Sequence, residues 1–120
     1  MNSYETNLAL LKSWHSMCDY LREKKVQHPW LSGNIPTLEI DEEGAFVSLS
    51  RECDYQVSKP EDVVAPMLTW ITNCANSFTL SGKFPQVHTA PINPNSSWRK
   101  KIDNLLQVKD QQVEAYARPL

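Results

Sequence analysis

Apolar and polar positions alternate most clearly in residues 45–57. The alternation has one charged interruption, Arg51. Its apolar members are Val47, Leu49, Cys53, Tyr55 and Val57. A period of two is typical of a half-buried strand, so the pattern predicts one strand over residues 45–57. A shorter strand signal at residues 37–40 precedes it, and Asp41-Glu42-Glu43-Gly44 forms a turn between them, so the two segments predict a β-hairpin.

A helical period marks the N-terminal segment. Apolar side chains recur there every three or four positions, namely Leu10, Leu11, Trp14, Met17, Cys18 and Leu21. This spacing predicts an amphipathic helix over residues 3–25, which Ser3 could cap. The following loop, residues 28–36, is rich in proline but contains Trp30, Leu31 and Ile35, so we expect part of it to fold back over the core.

A second helical pattern follows the alternating segment. Ser58 and Glu61 have the spacing of a capping box, and apolar residues then recur until Gly82: Val64, Met67, Leu68, Ile71, Cys74, Ala75 and Phe78. Pro66 would disrupt a helix interior at a cost of ~3 kcal/mol. The helix therefore either kinks near Pro66, or is capped at Asp62 with Pro66 in its first turn and a separate helical turn before it. The second interpretation costs less.

The C-terminal third begins with extended chain. Residues 83–94 contain three prolines and predict an extended connection, with an edge strand around Gln86-Val87-His88. Asn95 or Ser97 can cap a last helix, whose apolar residues are Trp98, Ile102, Leu105 and Leu106. After Val108 two interpretations stay open, a continued helix through Val113 and Tyr116 or an alternating strand over residues 112–117. Residues 118–120 should be a loose end.

Taken together, these patterns predict one α+β domain over residues 1–120. Its order is N-terminal helix, β-hairpin, middle helix, extended proline-rich segment and C-terminal helix, with the helices packed on a small antiparallel sheet. A chain of 120 residues is long enough to bury a core without metal ions or disulfides.

Charge and cysteine content restrict the classes of function. The net charge of -2 comes from mixed acids and bases, without the basic excess that phosphate binding needs. Trp98-Arg99-Lys100-Lys101 is the one basic cluster with an aromatic residue, and a solvated helix face explains it better than nucleic-acid binding.

No segment has the ~20 apolar residues of a membrane span, and the first residues do not resemble a signal peptide. Three scattered cysteines favour a reducing compartment, so we expect a cytoplasmic protein.

Candidate chemistry is sparse. His15 and Cys18 share a helix face, and Cys53 with His88 is a second possible nucleophile and base pair, but all three cysteines occupy apolar positions that favour core packing. No local pair of metal ligands occurs, and the acidic run Asp41-Glu42-Glu43 is better explained as a solvated turn than as a cation site. We therefore expect no cofactor, no metal and no catalysis.

Aromatic residues beside irregular chain carry the functional hypothesis. Four side chains are candidate apolar anchors for a protein partner, which could be a second copy of the chain: Trp30, Trp70, Phe84 and Trp98. Tryptophans near apolar loops are enriched where proteins bind proteins. The alternative, that these side chains cover small apolar clusters under the loops, is equally compatible with the sequence. The predicted function is a non-enzymatic interaction module, such as an inhibitor, immunity protein, adaptor or assembly subunit of a phage or other mobile element.

One stretch of the middle helix resembles a known class of proteins. Pro66-Met67-Leu68-Thr69-Trp70-Ile71, with the order helix, hairpin, helix, is similar to tail-completion and tail-terminator proteins of tailed phages. Those are small α+β proteins that form rings at the end of a tail tube. The resemblance does not extend to the C-terminal third, and it implies a ring-forming subunit as an alternative function. A small cysteine–histidine enzyme is the other alternative.

Overall fold

Three helices and a three-stranded antiparallel sheet make up the part of the chain that the computed structural model describes, which is residues 3–28, 30–31, 34–50, 53–81 and 95–117. The elements, in chain order, are α1 (Ser3–Lys24), β1 (Leu38–Asp41), β2 (Gly44–Ser50), β3 (Cys53–Val57), a 3-10 turn (Pro60–Val63), α2 (Val64–Ser81) and α3 (Trp98–Ala117). The predicted α+β class and element order are confirmed. The predicted extended segment at residues 83–94, with its edge strand, and the loose end at residues 118–120 lie outside the described residues.

The single strand predicted over residues 45–57 is wrong, because the structure divides it into β2 and β3. The two strands pair antiparallel, with Ala45 opposite Val57 and Val47 opposite Tyr55. From Ala45 to Ser48 opposite residues are both odd-numbered or both even-numbered; the register then shifts at an irregularity, and Ser50 lies opposite Cys53. Because opposite residues point to the same face of a sheet, the period of two continues across the hairpin and does not reveal the turn.

The inner face of the sheet carries the apolar half of each strand. Ala45, Val47 and Val57 are buried there, and partly buried neighbours pack against the same core: Leu38, Ile40, Leu49 and Tyr55. α1 and α2 cover this face, α1 through contacts with β1 and α2 through contacts with β2. The other face of the sheet carries mostly exposed polar residues, as an antiparallel sheet with one helical layer requires.

The loop between α1 and β1 returns over the core, as predicted. Trp30 and Leu31 are buried, and Ile35 packs against the core from the same loop. The Trp14 indole of α1 donates its Nε1 hydrogen to the carbonyl oxygen of Pro36 over 3.1 Å. This bond satisfies the only polar atom of a side chain that is otherwise buried, and it fixes the loop to α1.

Pro66 lies in the first turn of α2, and a separate 3-10 turn precedes the helix, as the cheaper of the two interpretations predicted. The predicted cap at Asp62 is wrong, because Asp62 is the third residue of the 3-10 turn, whose N-cap is Lys59. The Asp62 carboxylate accepts hydrogen bonds from the Ser58 and Lys59 backbone N–H groups, at 3.1 and 3.0 Å, and from the Ser58 hydroxyl. The capping acid is therefore Asp62 and not the predicted Glu61, because Pro60 begins the turn and shifts its third position by one residue.

α2 lies between the sheet and α3, which explains how the last helix packs. Its residues Met67 and Ile71 are fully buried, and Ile102, Leu105 and Leu106 of α3 belong to the same core. Ser97 caps α3 by accepting the Lys100 backbone N–H at its hydroxyl over 3.3 Å. The helix continues to Ala117, so the strand alternative for residues 112–117 is wrong.

We predict that Gly44→Ala destabilises the protein. Gly44 ends the β1–β2 turn with a φ of +141°, and its N–H donates to the Asp41 carboxylate over 3.1 Å. A Cβ atom would find room there, with its nearest neighbour at 3.6 Å, so the penalty is conformational. We expect the free energy of unfolding to fall by about 1–3 kcal/mol in chemical denaturation, with Glu42→Ala as the control. Equal stability of the two variants would contradict this role of Gly44.

We predict that the contribution of Asp62 to stability depends on pH. Hydrogen bonds from Ser58 lower the pKa of this carboxyl, and the Lys59 N–H and the Lys59 charge lower it further. Desolvation raises the pKa by less than these contacts lower it. Its stabilisation is therefore fully present above the ordinary pKa of about 4 and disappears as the pH falls through the lowered value. Asp62→Asn should unfold at lower denaturant concentration than wild type at neutral pH. The difference should shrink in strong acid, and a pH-independent difference would contradict the prediction.

Candidate functional site

The predicted nucleophile Cys18 and its possible base His15 line one cavity. This cavity has a volume of about 190 Å³ and lies between α1 and the segment that leads into β1; its walls also include Trp14, Arg22, Ile35, Pro36, Thr37 and Leu38. Arg22 donates to the Asp19 carboxylate over 2.6 Å, so its charge is partly compensated. The structure therefore brings a thiol, an imidazole and a guanidinium group to the same hollow.

The electrostatic environment of Cys18 disfavours a thiolate. The side chain is 4 % exposed, and Cys74 is buried as well, as predicted for core cysteines. Burial raises the pKa of the Cys18 thiol; the nearby Arg22 charge lowers it by less, and Asp19 raises it further. A reactive cysteine requires the opposite shift. The second candidate pair cannot be placed, because His88 and the side chain of Cys53 lie outside the described residues.

A second cluster joins the C-terminal half of α1 to the start of α3, and we call Tyr20, Trp98 and Arg99 the α1–α3 patch. The Tyr20 and Trp98 rings pack edge to face with centroids 5.6 Å apart, and the Arg99 guanidinium lies 4.9 Å from the centroid of the Trp98 ring. Tyr20 and Trp98 are half-buried and Arg99 is exposed. A depression of about 280 Å³ adjoins the patch and is lined by Ser16, Asp19, Tyr20, Glu23 and Arg99.

Two aspartates of α3 hold this region in place. The Tyr20 hydroxyl donates to Asp103, and Lys24 Nζ lies 3.7 Å from the same carboxylate. Burial, then the hydrogen bond and charge of Asp103, raise the pKa of Tyr20 to about 12, so the phenol keeps its proton at neutral pH. About two turns further along α3, Asp110 accepts the Trp30 indole N–H.

His28 lies beside the same Asp110 carboxylate. Its buried Nδ1 is 2.5 Å from Asp110 Oδ2, at an angle outside hydrogen-bond geometry. The His28 ring also meets the Trp30 ring edge-on, with centroids 6.0 Å apart. These contacts fix the loop after α1 to α3.

The four predicted anchor residues have different surroundings. Trp30 and Trp70 are 5 % and 7 % exposed and belong to the core, so each covers apolar side chains within the chain. Trp70 is buried because it lies three positions after Met67 and four before Cys74, on the buried side of α2. Trp98 keeps part of its ring at the surface, and Phe84 lies outside the described residues. Whether any of them contacts a partner stays a prediction.

Lys109 is a buried residue that the sequence reasoning missed. It is 0 % exposed on α3, and desolvation lowers the pKa of its ammonium group. The signal was present, because residues 102, 105, 106 and 109 follow the helical spacing of the apolar stripe, with lysine at the last position. A buried lysine with a lowered pKa is a common form of nucleophile, but this one lines none of the cavities described above.

The third surface is the open face of the sheet, which we call the outer face and define by Glu39, Asp41, Phe46, Ser48 and Asp54.

Among the described residues, no group of three or more histidines, cysteines or acids is arranged to hold a metal ion. None of the described helices combines the length and apolar content needed to cross a bilayer.

The chain matches no known family model, curated protein or solved structure.

We predict that Cys18 is unreactive in the folded protein. In a Cys53→Ser, Cys74→Ser variant, Cys18 is the only thiol, and burial with a raised pKa should make its alkylation at neutral pH far slower than that of the same chain unfolded in denaturant. The rate should increase as the pH approaches and passes the ordinary thiol value. The measurement is the alkylation rate followed by mass spectrometry. Fast alkylation of the native protein at neutral pH would contradict the prediction and favour a thiol enzyme.

Proposed function

We propose that this chain is a non-enzymatic, cytoplasmic module that binds another protein through the α1–α3 patch. Trp98 is the central apolar anchor, Tyr20 supports it from the side, and Arg99 supplies the charged contact. Of the anchors expected from the sequence, Trp98 thus keeps its role, whereas Trp30 and Trp70 support the surface from the core. Phe84 stays a candidate contact.

The observation that carries this proposal is the chemistry of the patch. Tryptophan, tyrosine and arginine are the residue types that contribute most binding energy in protein interfaces. Here they lie together on the surface, with the Trp98 and Tyr20 rings in contact and the Arg99 guanidinium over an indole face. Interface anchors also work best when they are already rigid before binding.

The patch has this rigidity because three separate contacts hold it. Trp98 begins α3, whose first turn is capped by the Ser97 hydroxyl. Tyr20 is held by its bond to Asp103, one turn further along the same helix. Lys24 lies 5.2 Å from the centroid of the Tyr20 ring and closes the cluster on the α1 side. Little side-chain entropy would therefore be lost when a partner covers these rings.

One observation favours a second candidate, a small thiol enzyme. His15, Cys18 and Arg22 line the same cavity, which is the grouping that nucleophilic catalysis with an oxyanion would use. The raised pKa of Cys18 and its burial weigh against this candidate. The alkylation experiment above separates the two functions, since a working thiolate must react in the folded state.

We predict that Trp98→Ala and Arg99→Glu each reduce partner binding. Truncating an interface anchor typically costs about 2 kcal/mol or more of binding free energy. This loss corresponds to a dissociation constant that is roughly thirty-fold larger. The matched control is Tyr4→Ala, which removes an aromatic side chain that is 74 % exposed on the first turn of α1. The measurement uses tagged protein and an extract of the native host. The mass of the intact complex is measured, and the affinity for the purified partner is then determined.

Arg99→Glu separates binding from folding, because Arg99 is exposed and its removal leaves the core intact. If both patch variants retain wild-type affinity for the purified partner, the proposed function of the patch is wrong. The same conclusion follows if Tyr4→Ala weakens binding as strongly as Trp98→Ala.

A further inference from the structure

The outer face of the sheet is a shallow acidic depression around a phenylalanine. Its volume is about 290 Å³, and it is lined by Phe46, Ser48 and four acids: Glu39, Asp41, Glu43 and Asp54. Glu39 lies directly opposite Phe46 in the β1–β2 ladder, and Asp54 lies opposite Ser48 in the β2–β3 ladder. Glu39 and Asp41 are two positions apart on β1 and face the same side, so they lie about 7 Å apart and repel each other. Asp54 lies on β3, with β2 between it and these two acids.

Within the described residues, no lysine or arginine forms an ion pair with any of these four acids. The helices cover the opposite face of the sheet, so no described element of the same chain lies over the depression. Like charges close together on a sheet destabilise it, and the described charged residues that line this depression are all acids, around a half-buried ring. The face therefore presents a strong preference for a basic partner surface.

The start of α3 carries a run of basic residues, with the acids Asp19 and Glu23 of α1 beside Arg99 on one side of it. Arg99, Lys100 and Lys101 follow Trp98 directly, and the first turn of this helix contains no acid. The N-terminal end of a helix carries partial positive charge, so basic residues there repel the helix dipole and acidic groups are attracted to it. An acidic partner surface would relieve this repulsion as well as pairing with the side chains.

The two surfaces cannot meet within one chain. The outer face points away from the core, and α3 packs on α2 and on side chains of α1, which form the layer on the other face of the sheet. Two copies of the chain can bring them together. Such a contact joins two different surfaces, so the pair of copies keeps one free surface of each kind and can add a further copy.

We propose that the acidic outer face of one copy binds the start of α3 of a second copy. Arg99 and Lys100 lie over the carboxylates of Glu39 and Asp54, and the Trp98 indole lies against the Phe46 ring. This inference rests on the proposed function, because it names the partner of the α1–α3 patch as a second copy of this chain. The contact is electrostatic in large part, so association should weaken as salt is added.

The test is a charge reversal of each surface, measured by sedimentation of the purified chain over a range of concentrations. At low salt the average mass of wild type should rise above that of one chain as concentration increases, and added salt should reverse the rise. Asp54→Lys and Arg99→Glu place like charges opposite each other, so each alone should associate more than about tenfold more weakly. An equimolar mixture of the two variants restores opposite charges at the contact and should recover the association.

Glu61→Lys and Lys12→Glu are the matched controls, since they reverse exposed charges outside both surfaces and should associate as wild type does. A wild type that keeps the mass of one chain at every concentration would overturn the proposal, as would reversal variants that associate like wild type or a mixture that fails to recover. Asp54→Lys also leaves the α1–α3 patch unchanged. If the wild type stays a single chain but Arg99→Glu loses a host partner that Asp54→Lys still binds, the second-copy inference fails and the proposed function stands.

Discussion

Burial of one face of a three-stranded sheet under a single layer of helices is the constraint on which the rest of the structure depends. A sheet this small is stable only if its apolar face is covered, and α1 and α2 provide that cover over Ala45, Val47 and Val57. The same arrangement leaves the opposite face in water. The domain therefore has two unlike sides, an acidic sheet face and a helical side on which α3 is mounted.

The helical side depends on a second set of contacts, which is polar. α3 shares apolar side chains with α2, but Asp103 and Asp110 fix it to α1 and to the loop that follows α1. Each aspartate takes a hydrogen bond from an aromatic residue, Tyr20 in one case and Trp30 in the other. Trp30 is buried where the loop after α1 meets α3, whereas Trp98, at the start of α3, keeps part of its ring at the surface.

The sequence predicted the elements better than it predicted their contacts. The helices, the turn at Gly44 and the apolar loop follow from local patterns, because capping, turn chemistry and helical spacing act within a few residues. The division of residues 45–57 into two strands did not follow, since the partners of Ala45 to Ser48 in β3 have the same parity as these residues, and the apolar positions on both sides of the turn therefore stay in one period of two. The burial of Trp70 and Lys109 was missed although both follow the helical spacing of buried neighbours, because a tryptophan or a lysine at such a position can lie in the core or at the surface, and the packing of the helices decides which.

The candidate site was predictable only in part. His15 and Cys18 were expected on one helix face, and the structure adds the cavity between them and the segment before β1. The patch around Trp98 required Tyr20, which is 78 positions away in the chain and has no sequence signal that links it to Trp98. The sequence showed only the acidic turn Asp41-Glu42-Glu43 and not the acidic outer face. Glu39 and Asp54 join that face only because the strands pair.

The central claim is that this chain acts through its two unlike surfaces and that they bind each other between copies. Zero-length cross-linking of carboxylates to amines in an equal mixture of isotopically labelled and unlabelled chains tests it most directly. The account predicts linked peptides that join Glu39 or Asp54 of one isotope to Lys100 or Lys101 of the other. Linkages confined to peptides of the same isotope, or labelled pairs formed equally at Lys12 and Glu61, would contradict it.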